Sequence, residues 1–234
     1  ASVTKNTIMS SEAGLKTYVY SFYEKLFPSG SDASQMEINL VDFGAINNLP
    51  DFQVKNAYSE TNAGGWSWSN LRNINYFIEN CTDERVEESV RNHYIGIARF
   101  FRAYFYYDMV KRFGDVPWID KTLDVDDEEL YAPRDSREVV MEKVFEDLEF
   151  ACNNITMLTD ASGSMVTKWV AYAFASRVCL FEGTFRKYHH LNLSTSADEW
   201  LERAVDKAEY VMDNSGKTLY TAAGTSKSYR ALFT

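Results

Sequence analysis

The chain has 234 residues, with 24 Lys plus Arg against 34 Asp plus Glu and a formal net charge of −10. At 45% hydrophobic and 15% aromatic it holds too much apolar surface to stay disordered, and it is long enough to bury a sizeable core. The acidic balance argues against a phosphate-backbone binder, which needs a basic face, but says little about neutral ligands.

The first helical pattern runs from Ser11 to Leu26, with Leu15, Tyr18, Val19, Phe22 and Leu26 on one stripe. Pro28, Ser29, Gly30 and Ser31 stop it. Residues 31–65 show no sustained period and read as a long loop, a length that is often functional in a compact domain. A second helix starts near Trp66 and carries Leu71, Ile74 and Ile78. The third spans Glu84 to Phe113, with Val86, Val90, Tyr94, Ile97, Phe101, Phe105 and Met109 at spacings of three and four, and Gly114 as its stop. Residues 115–134 read as extended and acidic, bounded by Pro117 and Pro133.

A fourth helix opens at a capping arrangement, Asp135-Ser136-Arg137-Glu138, and its stripe is Val140, Val144, Leu148, Ala151 and Ile155. The fifth runs from Thr167 to about Phe185. The sixth opens at a second capping box, Ser196-Ala197-Asp198-Glu199, and carries Leu201, Ala204, Val205, Ala208 and Met212 until Asn214-Ser215-Gly216 ends it. The last three helix starts lie about 30 residues apart, the period of stacked helix pairs of the tetratricopeptide type. Ala171, Ala173, Ala175 and Gly183 allow close helix approach. The full tetratricopeptide consensus is absent, so an irregular helical bundle is the competing architecture. Either way the expected fold class is all-α with long loops.

Cys152 and Cys179 fall among apolar neighbours in helical patterns and read as small buried thiols; with Cys81 they offer no disulfide framework and no Cys-x-x-Cys. No run reaches the roughly 18 apolar residues of a membrane span. The chain lacks an initiator Met and a signal-peptide core, and ends on apolar residues, so it reads as a trimmed piece of a longer protein.

The run from Tyr94 to Trp118, with Gly96, Ala98-Arg99-Phe100, Arg102-Ala103-Tyr104 and Gly114-Asp115-Val116-Pro117, closely resembles the hallmark block of the SusD/RagB family. Trp68 to Asn75, Tyr131 to Ser136, Leu180 to His189 and Ser11 to Leu15 resemble further family segments in the same order. One departure is Ile97, where the family usually carries Glu in the Gly-x-Ala-Arg run. The resemblance implies a tetratricopeptide-like helical scaffold, with residues 1–234 as the family's N-terminal helical domain and its C-terminal part missing. It implies a lipid-anchored protein at the outer-membrane surface that captures a glycan and delivers it to a SusC-like TonB-dependent transporter. The anchor would lie upstream of this chain. It implies no catalysis and no cofactor.

Sugar C–H faces pack on aromatic rings, and hydroxyls are read by planar polar groups. Trp66 and Trp68, after Gly64-Gly65 and before a helix, are the best candidates for such a platform, with Asn70 beside them and Tyr58 in the same loop. Asp51, Asn56, Glu60 and Asn62 are nearby polar groups. A Trp at that place can equally pack the helix start on the core, and on a helix a pair two residues apart cannot share one face. Tyr104 to Tyr107 sit inside a long helix and read as core; Arg99, Arg102, Lys111 and Arg112 read as ion-pairing groups, and Trp118 as packing.

The acidic run Asp124 to Glu129 lacks the spaced ligands and glycine of an EF-hand loop, and His189-His190 has no third ligand beside it. No Gly-x-Ser-x-Gly, His-Glu-x-x-His or phosphate-cradling glycine loop occurs. A helical-repeat adaptor for a protein partner is the alternative function, and a glycoside hydrolase a third.

Overall fold

The computed structural model describes residues 8–26, 54, 55, 59 and 65–233. Tyr58, Asp51, Asn56, Glu60 and Asn62 lie outside them. The described residues form helices α1 (Glu12–Leu26), α2 (Ser69–Asn80), α3 (Glu88–Phe113), α4 (Arg137–Asn154), α5 (Lys168–Tyr188), α6 (Ala197–Asn214) and α7 (Ser228–Leu232). A short 3-10 turn spans Glu128–Tyr131. Pairing of β type among the described residues is confined to one bridge, Val116 to Asp135. No described helix is long and apolar enough to cross a membrane.

α3 is the organising element. It packs against α1 and α2 on one side and α4 on the other, α4 leans on α5, and α5 pairs with α6. The expected stripes face these contacts. Leu15, Val19 and Phe22 of α1, Leu71, Ile74 and Phe77 of α2, and Val140, Val144, Leu148 and Ala151 of α4 are all buried. Phe105, Tyr106 and Tyr107 are buried in α3, and Ile97, the departure from the family pattern, is core. All three cysteines are buried and free, and burial pushes the Cys152 and Cys179 thiols up to about 12.

The helix ends follow local chemistry. Gly114 closes α3 at φ 70, a left-handed conformation that glycine enters without strain, and its N–H bonds to the Val110 carbonyl. At α6 the capping box is complete: Ser196 Oγ accepts from Glu199 N, and Glu199 Oε2 accepts from Ser196 N. A Cβ on Gly183 would lie 2.8 Å from Leu201 Cγ, so the α5–α6 approach depends on the missing side chain.

Four details depart from the sequence reading. α3 starts at Glu88 rather than Glu84, because Asp83 gathers the Arg85 N–H and guanidinium into a tight turn and Val86 N bonds back to Asp83 O. The N-cap of α4 is Ser136, which accepts from Val139 N, and not Asp135; Asp135 faces the preceding loop instead. The buried residues of α6 are Trp200 and Ala204, whereas Val205 is 52% and Met212 64% exposed. The large Trp200 ring occupies the interface with α4, where it meets Phe145 edge to face, and so sets the rotation of the helix. Finally, α2 starts at Ser69 rather than near Trp66, with consequences for the site.

Candidate functional site

Two non-helical segments face each other across the end of α2. The first is residues 65–68. Gly65 turns at φ 76 and its carbonyl accepts from Ser67 N, which keeps these residues out of the helix; Trp68 then holds the N-cap position, and Arg72 N makes the first helical bond to Trp68 O. Trp68 provides no side-chain cap, and the first turn of α2 contains no acid.

The second segment is residues 115–136, pinned at its base. Asp135 N donates to Val116 O, Asp135 Oδ2 accepts from Trp118 N at 2.7 Å, and Asp115 Oδ1 accepts from Arg137 N at 2.8 Å. Within it, Trp118 stacks on Tyr106 with centroids 4.3 Å apart, and Ile119 N donates to Tyr106 Oη at 2.6 Å.

A buried polar network ties this segment to the helices. Asp147 of α4, 1% exposed, accepts from Arg99 Nε at 2.6 Å and from Arg102 Nε and Nη2 at 2.7 and 2.8 Å. Arg102 Nη1 donates to Asn75 Oδ1, and Asn75 Nδ2 donates to the carbonyls of Ile119 and Lys121. One carboxylate on α4 thus positions α3, α2 and the loop together. Within this network the Asp147 carboxylate, the Arg102 guanidinium and the Asn75 amide all find partners, as burial requires.

Between the two segments lies a cleft of about 690 Å³, a size that accommodates a small organic ligand. Trp66, Trp68, Leu71 and Ile119 line it, together with Leu130, Tyr131 and Arg134 from the far segment. Trp66 is 44% exposed and Tyr131 86%. The indoles of Trp66 and Trp68 meet edge to face at 5.2 Å; Trp66 leans on Phe113, and Trp68 on Phe105 and Tyr106. The rule that a pair two apart cannot share a helix face does not apply, because neither Trp is helical.

Trp66 and Trp68 therefore come together in one cleft, the first exposed and the second half-buried. Asn70 does not join them; it faces a separate hollow beside Tyr104 and Asp108. Sequence reasoning missed Tyr131, Arg72 and Arg134. Tyr131 and Arg134 are more than 60 positions from the tryptophans and reach the cleft only because the 115–136 loop folds back over α2.

The cleft is electrically uneven. Arg72, Lys121 and Arg134 line it against Asp124 and Glu129. Lys121 and Glu129 pair at 2.6 Å, and that hydrogen bond holds the Glu129 carboxyl below its ordinary range. Arg134 lies with its guanidinium 4.9 Å from the Trp66 ring centroid, in cation–π range, and makes a long 3.4 Å bond to Asp115 O. Elsewhere His93 is buried, and its Nδ1 accepts from Thr156 N; burial lowers its pKa. Among the described residues no group of His, Cys, Asp and Glu is arranged to hold a metal ion.

Helices packed on a central helix, with a loop-built cleft beside the start of α2, define a tetratricopeptide-like helical scaffold. The chain belongs to the SusD-like family: the family model described as starch-binding associating with outer membrane matches residues 8–189. It is 29% identical over 175 residues to a SusD-like protein of Bacteroides ovatus, covering 73% of this chain and 30% of that one. The structure of a SusD-like protein from Bacteroides fragilis superposes with a TM-score of 0.65 at 24% identity, covering 98% of this chain and 43% of the other, which establishes the shared fold. A structure solved with a xylogluco-oligosaccharide matches at 26% identity and a TM-score of 0.50, over 65% of this chain and 30% of its own. The chain spans about a third of the length of the curated relatives it matches.

Proposed function

We propose that the Trp66–Trp68 cleft binds a glycan, and that the protein captures oligo- or polysaccharide at the outer-membrane surface and passes it to a SusC-like TonB-dependent transporter. On this reading the protein is held at the surface by a lipid anchor outside this chain and does not cut its ligand. The observation that carries it is Trp66, an indole left 44% exposed in a cleft of a SusD-like scaffold while its neighbour Trp68 packs against the core. An exposed ring beside hydrogen-bonding groups suits a sugar, which presents C–H faces and hydroxyls at once. Tyr131 supplies a second ring across the cleft.

Calorimetry against a panel of polysaccharides, with Trp66→Ala, Trp68→Ala and Tyr131→Ala, tests the site. Binding lost in the Trp66→Ala, Trp68→Ala double variant supports it; unchanged binding removes this site. Reducing-end release from a bound glycan would refute the non-hydrolytic reading.

A further inference from the structure

We propose that the saccharide taken by this cleft carries an anionic group, a carboxylate or a sulfate ester, bound by Arg72 and Arg134 beside the Trp66 indole. The proposal rests on the glycan reading above and adds the chemical class of the ligand.

The arginines of this protein are mostly spoken for. Arg99 and Arg102 are bound by Asp147, Arg137 and Arg186 by Glu182, and Arg203 by Glu142. Arg72 and Arg134 are different. Among the described residues neither guanidinium makes an ion pair with a carboxylate; Arg72 has no side-chain hydrogen bond, and Arg134 has only the long bond to a carbonyl. Both line the same concave surface. In a chain of net charge −10 two unneutralised guanidiniums in one cleft are a local reversal of sign. The carboxylate opposite, Glu129, is already held by Lys121, so among the described lining residues of the cleft Asp124 is the acid without a basic partner, with Asp126, Asp127 and Glu128 in the adjoining hollow.

Placement gives these charges a direction. The Arg134 guanidinium lies over Trp66, so an anion held by Arg134 is next to the ring on which a sugar would pack. A planar guanidinium matches a carboxylate or sulfate through two parallel N–H bonds, and it is weakly hydrated enough to work at an interface. The uncapped, acid-free start of α2 adds to the positive potential. A neutral glycan could offer the guanidiniums only hydroxyl acceptors; an anionic one adds charge-assisted bonds to them beside the indole.

The test is isothermal calorimetry on the 234-residue chain with four probes: oligogalacturonate, the same oligosaccharide after carboxyl reduction, a sulfated galactan oligosaccharide and a neutral xylogluco-oligosaccharide. The variants are Arg72→Gln, Arg134→Gln and Trp66→Ala. Arg72 is exposed and free of side-chain bonds, so its variant retains the fold, which circular dichroism checks. The expected result is that oligogalacturonate, the sulfated probe or both bind about tenfold or more tightly than the reduced form, the scale of a charge-assisted hydrogen bond. Each Gln variant should remove about that factor for the charged probe only, and added salt should weaken it. The two charged probes separate carboxylate from sulfate recognition.

Equal binding of charged and reduced forms, or charged-probe binding unchanged in both Gln variants, overturns the proposal. If that binding still needs Trp66, the glycan reading stands. Charge-dependent binding that survives Trp66→Ala places the anion off the platform and also overturns it. No binding of any probe or polysaccharide overturns both readings.

Discussion

Two pairs of arginines show how this fold divides its work. Arg99 and Arg102 sit one turn apart on α3 and share the buried Asp147; Arg72 and Arg134 sit on α2 and a loop and line an open cleft. The residue type is the same, but the first pair has given up water for a carboxylate and the second has not. The aromatics divide in the same way. Tyr172 and Tyr210 stack at 4.1 Å between α5 and α6, and Phe22, Phe77 and Phe101 interlock at the α1–α2–α3 junction, while Trp66 and Tyr131 stay exposed. Burial with a partner makes a scaffold group; exposure in a concavity makes a candidate ligand group. Substitutions in the scaffold should change stability, and substitutions in the cleft should change binding.

The largest effect should come from Arg102→Ala. It leaves Asp147 buried with one partner fewer and releases Asn75, at a cost of about 3–5 kcal/mol. Urea denaturation measures it, and adding Asp147→Leu should recover part of the loss. Next is Gly183→Val, which drives a side chain into Leu201 and the Ala197 carbonyl and should cost about 1–3 kcal/mol or more. A preserved melting temperature in that variant would show that α5 and α6 separate more easily than their contact implies.

A pH effect follows from His93. Its pKa in the folded chain is depressed below 6.5 by burial, so the neutral form is the one that folds. The stability it contributes is present above 6.5 and falls as the pH drops through the folded value, where Nδ1 would gain a proton and lose the Thr156 N–H. The acid limb of a stability profile should flatten in His93→Asn. Ser196→Ala removes one half of the α6 capping box and should cost about 1 kcal/mol. Smallest of all should be Trp66→Ala, at about 1 kcal/mol or less in stability for a ring so exposed, while removing glycan binding. If Trp66→Ala unfolds the chain instead, the platform is scaffold and the division fails there.

Much of the scaffold was legible in the sequence. The stripe of α4 is fully buried as spaced, because a long amphipathic helix has only one face to hide. The Ser196–Glu199 box was legible because capping is local. The α6 face was not: Val205 and Met212 share a regular period, yet Trp200 is buried in their place. Periodicity finds a stripe, but which stripe turns inward depends on what stands opposite, and here that is Phe145 and a glycine on α5.

The cleft was half legible. Trp66 and Trp68 stood out as tryptophans beside glycines ahead of a helix. Their contact with each other was hidden, because Gly65 and the Ser67 turn delay the helix start to Ser69. Asn70, adjacent in sequence, points elsewhere once the helix begins.

By itself the sequence determined the helical class, most of the buried stripes and the family block around Arg99 and Arg102, since these rest on spacing within single helices. Tertiary structure alone decided that Asp147 sits under those arginines, and that Tyr131 and Arg134 return over α2 to face Trp66. The physical reason is one of range. Helical periodicity and capping act over a few residues, whereas a cleft is made by groups that only burial and loop closure bring together.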